Sequence, residues 1–289
     1  MISRRLFVQT SAIAGSLLTG RAAGRIRAGC QTRAYGVPIR DRDRLLAILE
    51  ELVELGFEGF ETNFNSLQSA FDEPAPVRAA IEKRKIALIG LHTSARLHDS
   101  SALEKDRALL DRVSKGTRDL GGTHLFMSGP GVPRDEKGRM IKEALSRRSD
   151  ELNRAGRMCS ERGLRLCIHN HAKELENGAE ELKATLAATD PEHVSLVVDL
   201  SYVHLARLNP EDLIREHSKR IAAVHMRDMK GREEALLGTG EMDYAAVARA
   251  FRSVGWSGWA ILEMNQRKDM TSRDMVRHGR EYMRDAMKI

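Results

Sequence analysis

No apolar run in this chain is long enough to span a bilayer, so membrane insertion is not expected. The composition, 42% hydrophobic and 30% charged, is that of a soluble globular protein. Cysteine is scarce: Cys30, Cys159 and Cys167 are too few, and odd in number, for a disulfide framework. Cys167, inside an apolar β-like run, reads as a small buried side chain. Glycine-rich phosphate loops are missing as well. Neither GxGxxG nor a P-loop opens a helix, which leaves nucleotide cofactors without support. With no low-complexity tract and no interdomain linker, 289 residues read as a single large domain.

An excess of one charge sign is also nearly missing from the part that should fold. The net charge of +6 is concentrated in the first 28 residues, where Arg4, Arg5, Arg21, Arg25 and Arg27 stand with no acid. Taking those five from 47 basic residues leaves 42 against 41 acidic ones. Phosphate-backbone binding loses its electrostatic basis, and nucleic acid is not expected as a partner. The leader itself reads Ser3-Arg4-Arg5-Leu6-Phe7-Val8, then a weakly apolar stretch over 11–18, with small residues near Ala22 and Ala23. It resembles a twin-arginine export signal. That resemblance implies a signal segment over 1–26 and a domain over 27–289 that folds, and can take up its metal, in the cytoplasm before export to the periplasm or cell surface.

Past the leader, short β-like runs alternate with amphipathic helical segments, the mark of parallel α/β architecture. Strands are expected at 27–33, 59–63, 86–92, 123–128, from 164 to about His169, at 194–199, 221–226 and 258–263. Helices are expected at 41–55, 75–83, 101–120, 137–162, 209–217, 244–254 and 272–287. Leu45, Ile48, Leu49, Leu52 and Leu55 recur at helical spacing, with Gly56 as the C-cap. Eight such units predict a closed (β/α)8 TIM barrel ahead of an open doubly wound sheet.

The chain is organised around 164–174, LRLCIHNHAKE, an apolar run that ends abruptly in His169, Asn170 and His171. Catalytic groups of such barrels sit at the C-terminal ends of the strands. Strands five to eight end in His169, Asp199, His225 and Glu263. Two imidazoles with two carboxylates suit one divalent ion such as Mn, Zn, Co or Fe, with positions left for substrate oxygens.

Several fragments, in this order and spacing, resemble the xylose-isomerase-like barrels, the sugar phosphate isomerase/epimerase group related to inosose dehydratase, ketose 3-epimerases and hydroxypyruvate isomerase. They are Leu55-Gly56-Phe57-Glu58-Gly59-Phe60-Glu61, Ile168-His169-Asn170-His171 with Glu174, Val198-Asp199, and Val224-His225-Met226-Arg227-Asp228-Met229. Leu237-Gly238-Thr239-Gly240-Glu241-Met242-Asp243-Tyr244 and Gly255-Trp256-Ser257-Gly258-Trp259 with Leu262-Glu263 complete the match over 27–287. The resemblance implies that Asp199, His225 and Glu263 bind the metal, with His169 as fourth ligand. Many sugar epimerases carry Glu at that fourth position and move a proton with two carboxylates. His169 departs from that pattern and puts symmetric epimerisation in doubt.

The expected activity is isomerisation or epimerisation of a keto-sugar or related polyol through an enediolate. Dehydration or cleavage of a 3-keto-glycoside on the same scaffold is the alternative. Glu263 or Glu61 is the candidate base. His171 is expected to bind a substrate hydroxyl, to orient His169 or to replace it. His92 and Arg227 are expected to contact sugar oxygens, Arg227 otherwise pairing with Asp228; Glu174 and Tyr202 complete the substrate-contacting set. Trp256 and Trp259 precede strand eight and read as core. The partner is a small sugar or glycoside, and a homo-oligomer is compatible with the sequence. Two rivals carry less: an endonuclease IV-like nuclease, whose Asp-x-x-His pair is here Asp199-Leu200-Ser201-Tyr202, and a non-catalytic sugar-binding or metal-storage barrel.

Overall fold

The computed structural model describes residues 25–36 and 38–289. The expected export signal lies, up to residue 24, outside the described residues. From there the chain runs β1 (Arg27–Gln31), α1 (Arg42–Glu54), β2 (Gly59–Asn63), α2 (Ala75–Lys83), β3 (Ala87–Ser94), α3 (Leu103–Asp119), β4 (His124–Ser128), α4 (Lys142–Glu161) and β5 (Arg165–His169). It continues through α5 (Glu176–Ala188), β6 (Val194–Asp199), α6 (Leu200–Leu205), α7 (Pro210–His217), β7 (Ile221–Met226), the hairpin β8 (Asp228–Lys230) and β9 (Glu233–Ala235), α8 (Tyr244–Ser253), β10 (Trp259–Leu262) and α9 (Ser272–Asp285). Eight parallel strands close in the order β1-β10-β7-β6-β5-β4-β3-β2. This is the (β/α)8 barrel that the alternating pattern predicts.

Two apolar layers hold it. One fills the space between strands and helices and includes Leu166, Ile168, Leu196, Val198, Val224 and Leu262. The other fills the barrel: Ile89, Phe126, Cys167, Val197, Ala222, Ala223, Trp259 and Ile261. Because side chains alternate faces with a period of two, each inward residue near a strand's end dictates the residue two further on. Cys167 sends His169 inward, Val197 sends Asp199, Ala223 sends His225 and Ile261 sends Glu263. All four are buried at the top of the barrel.

Two irregularities set the register. Phe60 pairs with Leu88 but Glu61 with Gly90, so Ile89 is an extra residue on β3. Leu91 then faces the helices and His92 faces the interior. Between β6 and β7, Leu196 pairs with Ile221 and Val197 with Ala223; beyond this bulge Asp199 stands level with His225.

The structure corrects some expected boundaries. The helix placed at 137–162 starts at Lys142. Before it, the Asp135 carboxylate accepts the N–H groups of Lys137 and Arg139 at 2.9 Å, and Gly138 turns at φ +75°, so a tight turn replaces the first helical turn. β1 stops at Gln31, whose Oε1 accepts the N–H of Arg33 and begins a 3-10 turn over Thr32–Tyr35. Helices α5 and α6 and the β8–β9 hairpin had no counterpart in the sequence reading. Trp256 and Trp259 are core, as expected: Trp256 stacks on Phe251 at 4.5 Å and donates to the Ile221 carbonyl at 2.8 Å.

Candidate metal centre

His169, Asp199, His225 and Glu263 each offer one ligand atom, and these atoms all lie within 4.8 Å of one another. His169 Nε2 is 3.7 Å from Asp199 Oδ2, and His225 Nδ1 is 2.7 Å from Glu263 Oε2. The geometry exposes a deficit. Among the described residues, both His169 nitrogens, His225 Nδ1 and Glu263 Oε2 are buried without a hydrogen-bond partner; the His225 and Glu263 atoms are close but out of line for one. Orphaned buried polar atoms are costly and rare, and one nitrogen of each imidazole and a Glu263 oxygen converge beside Asp199. The donor set therefore fits a divalent cation.

The second donor atoms of His225 and Asp199 are spoken for. His225 Nε2 donates to Glu61 Oε2 at 2.7 Å, which leaves Nδ1 as the ligand atom. Asp199 caps α6, its Oδ1 accepting the Ser201 N–H at 2.8 Å and the Ser201 hydroxyl, so Oδ2 is the atom turned to the cluster. Asn170 clamps β5 to β6, accepting the Asp199 N–H at 3.0 Å and donating to the Asp199 carbonyl at 3.4 Å. Such partners fix ligand orientation, and their loss weakens metal sites.

The electrostatics match ligation. Burial, with His225 and His92 close by, pushes His169 well below the ordinary imidazole range, so it stands neutral. Burial alone would also lower His225, but the Glu61 and Glu263 carboxylates outweigh it and hold His225 well above that range. Burial would raise Glu263; His225 and Arg227 hold it well below the usual carboxylate range. Burial raises Asp199, opposed by Arg227. A cation held by these residues would compete with the proton for His225 Nδ1.

The other expected site residues divide. Glu61, a candidate base from the sequence, is fully buried with both oxygens engaged, Oε1 by His92 Nδ1 at 2.9 Å and Oε2 by His225. His92 and His171 do join the cluster, their rings 5.3 and 4.9 Å from that of His169. Tyr202 packs against His171 at 5.3 Å and lies 5.8 Å from the Arg227 guanidinium. Arg227 binds Asp199 Oδ2 at 3.2 Å and Glu234 Oε2 at 2.7 Å. Its expected pairing with Asp228 is corrected: Asp228 instead accepts the N–H groups of Met229, Gly238, Gly240 and Met242, tying down the loop above β7. A Cβ on Gly240 would lie 2.2 Å from Asp228 Oδ1, which explains a glycine there. Glu174 turns inward, its Oε2 accepting the His171 N–H at 3.1 Å and its Oε1 lying 3.8 Å from Arg148, so it shapes the turn that carries His171.

Sequence reasoning missed Asn170, Ser201, Glu234 and Asp228 as supports. Only Asp199-Leu200-Ser201 carried a legible signal, a carboxylate two residues before a hydroxyl at a helix start. Two clefts of about 720 and 650 Å³ hold none of the ligands; they lie beside His204 and Glu241, and at the opposite barrel end beside Arg27 and Trp259.

A closed parallel barrel with two imidazoles and two carboxylates converging at its C-terminal mouth defines a (β/α)8 protein with a candidate divalent-metal centre. The chain belongs to the xylose isomerase-like TIM barrel family, whose model matches residues 49–286. Among curated relatives it is similar to the inosose dehydratase of Geobacillus kaustophilus, 25% identical over 248 residues that cover 76% of this chain and 79% of that one. The fold matches that of a sugar phosphate isomerase/epimerase from Parabacteroides distasonis, with a TM-score of 0.73 and 17% identity over 96% and 99% of the two chains. It also matches the IolI protein solved with a bound zinc atom, with a TM-score of 0.74 and 14% identity over 91% and 98%. Homologues of this chain are enzymes.

Proposed function

We propose that this chain is a divalent-metal-dependent enzyme that removes the proton beside the carbonyl of a keto-sugar or keto-polyol and then expels a β-hydroxyl group. The observation that carries this reading is the convergence of orphaned donor atoms on His169, His225 and Glu263 beside Asp199 Oδ2. His169, Asp199, His225 and Glu263 would hold the ion, and the zinc in the IolI structure supports that assignment. When bound, the ion acts as a Lewis acid on a carbonyl oxygen and makes the neighbouring C–H more acidic.

The chain's own groups divide the remaining work. Both Asp199 oxygens are occupied, by Ser201 and by Arg227, whereas Glu263, with Oε2 turned to the cluster, has its Oε1 in no hydrogen bond among the described residues and keeps some exposure. Glu263 is therefore the base that takes the proton from carbon. Arg227, anchored by Glu234, sits where it can orient a substrate hydroxyl beside Tyr202. Elimination is favoured over epimerisation because epimerisation needs a second carboxylate facing Glu263 across the substrate. The β5 position that would hold it is His169. The inosose dehydratase relatives support the same outcome. An exported enzyme of this kind would meet free sugars and glycosides.

The test joins metal analysis to solvent-deuterium exchange. Purified protein should carry about one equivalent of metal, lost in the Asp199→Ala, His225→Ala double variant. An inosose or a ketose should exchange the proton beside its carbonyl only with the metal-loaded protein, and NMR of the product should show loss of water. No metal in either protein after reconstitution would sink the proposal.

A further inference from the structure

We infer that His92, held by Glu61, is the catalytic acid that protonates the departing hydroxyl, in the place left open by His169 on β5. The inference rests on the elimination reading above and adds the group that reading lacks. Glu61 is a completely buried carboxylate whose two oxygens each hold one imidazole: Oε2 takes the Nε2–H of His225 and Oε1 the Nδ1–H of His92. One carboxylate thus fixes the tautomer of both rings. For His225 this directs Nδ1 to the ligand cluster. For His92 it directs Nε2 the other way, and Nε2 makes no hydrogen bond within the described residues.

Exposure separates the two. The His92 side chain is 17% exposed, against 0% for His225 and 5% for His169, so His92 is the ring of the three that opens to the mouth. Its centroid lies 5.3 Å from that of His169 and 6.4 Å from that of His225, within the span of one sugar ring seated on the cluster. His171 is equally near but unsupported: Glu174 binds its backbone N–H, and no carboxylate among the described residues holds its ring. A carboxylate-backed imidazole beside the reacting carbon is the usual arrangement for proton transfer at a heteroatom. Beyond the extra residue Ile89, β3 sets His92 level with Asn63 of β2.

The step balances. Glu263 accepts the proton from the carbon next to the carbonyl, and the electron pair of that C–H bond forms the new C=C bond. The β C–O bond breaks with its electron pair on oxygen, and His92, entering the step as an imidazolium with its Nδ1–H on Glu61, gives its Nε2 proton to that oxygen, which leaves as water. His92 ends neutral and Glu263 protonated; exchange with solvent resets both.

Separating exchange from elimination tests this. With an inosose as probe, His92→Gln and His92→Ala should keep about one equivalent of metal and should exchange the proton beside the carbonyl within a few-fold of wild type. Elimination should fall by about 10²–10⁴-fold, the usual worth of a general acid, and added imidazole should partly restore it in His92→Ala. Nitrogen-15 NMR of the wild type should show His92 protonated at Nδ1, a signature that Glu61→Gln should alter. Elimination at the wild-type rate in both His92 variants would overturn the assignment. So would equal loss of exchange and elimination with metal retained, which would make His92 a positioning residue. Failure of the wild type itself to exchange would instead refute the reading beneath it.

Discussion

Two buried histidines at opposite ends of the barrel have opposite acid–base characters. His124 starts β4 at the N-terminal end, its ring parallel to Phe126 at 5.7 Å and its Nδ1 2.8 Å from the Thr123 hydroxyl. Burial, with Arg165 nearby, pushes it down to about 4. His225 ends β7 and is buried more deeply still, yet Glu61 and Glu263 hold it well above the imidazole range. Burial is common to both, so burial does not make a site. What distinguishes the C-terminal end is that carboxylates reach the same depth and leave atoms unpaired.

The strongest way to break this contrast is mutation at both ends. Asp199→Ala with His225→Ala should remove the metal and lower the rate roughly 10³-fold, the several kcal/mol of a Lewis acid. His124→Gln should change neither metal content nor rate by more than a few-fold. Metal loss in His124→Gln, measured by elemental analysis, would erase the distinction.

Asp228 sharpens it from the stability side. Asp228→Ala strands four backbone N–H groups and should cost about 2–4 kcal/mol in urea unfolding. Asp243 caps α8 through the Ala246 N–H, and Asp243→Ala should cost only about 1 kcal/mol. Equal effects would show that the loop above β7 is not held by its carboxylate.

The pH responses should also diverge. In metal-free protein the raised His225 contributes stability that is complete below about pH 6.5 and is lost as pH rises through its folded value. Glu263 is depressed, so its contribution is present above about pH 4.5 and is lost as pH falls through its folded value. The melting temperature of metal-free protein should therefore decline by a few degrees on the alkaline side, roughly 2–4 °C for each kcal/mol lost. Metal affinity should rise over the same range, because the Nδ1 proton must leave. Parallel rather than opposed trends would remove His225 from the ligand set.

The smallest expected effect belongs to His124. Between about pH 6.5 and 4 the unfolded chain takes up a proton that the buried ring refuses, so stability falls as pH falls. His124→Gln should flatten that slope by about 1 kcal/mol or less per pH unit, read from acid-limb melting curves.

Much of this site was legible in the sequence because it follows a period of two along strands. The ends of β5, β6, β7 and β10 were read from their apolar runs, and the four residues converge. The eight-strand barrel followed from the alternation of elements. What escaped were contacts across the barrel. No spacing tells that Glu61 meets His225 over 164 positions, or that Arg227 prefers Asp199 and Glu234 to its neighbour Asp228. The turn at 134–140 was missed for a local reason, since Asp135 competes for backbone N–H groups that a helical pattern assigns elsewhere.

The additional residue at Ile89 absorbs a difference in length inside the strand and does not pass it on to the mouth. Without it Leu88 and Gly90 would still face Phe60 and Glu61 in unbroken alternation, and Leu91 and His92 would keep their partners Thr62 and Asn63. A one-residue deletion at the bulge should therefore leave the imidazole facing inward and remove one of the side chains that fill the barrel, Ile89. The cost of such a deletion falls on the packing below, and the chemistry above it is insulated from chain length.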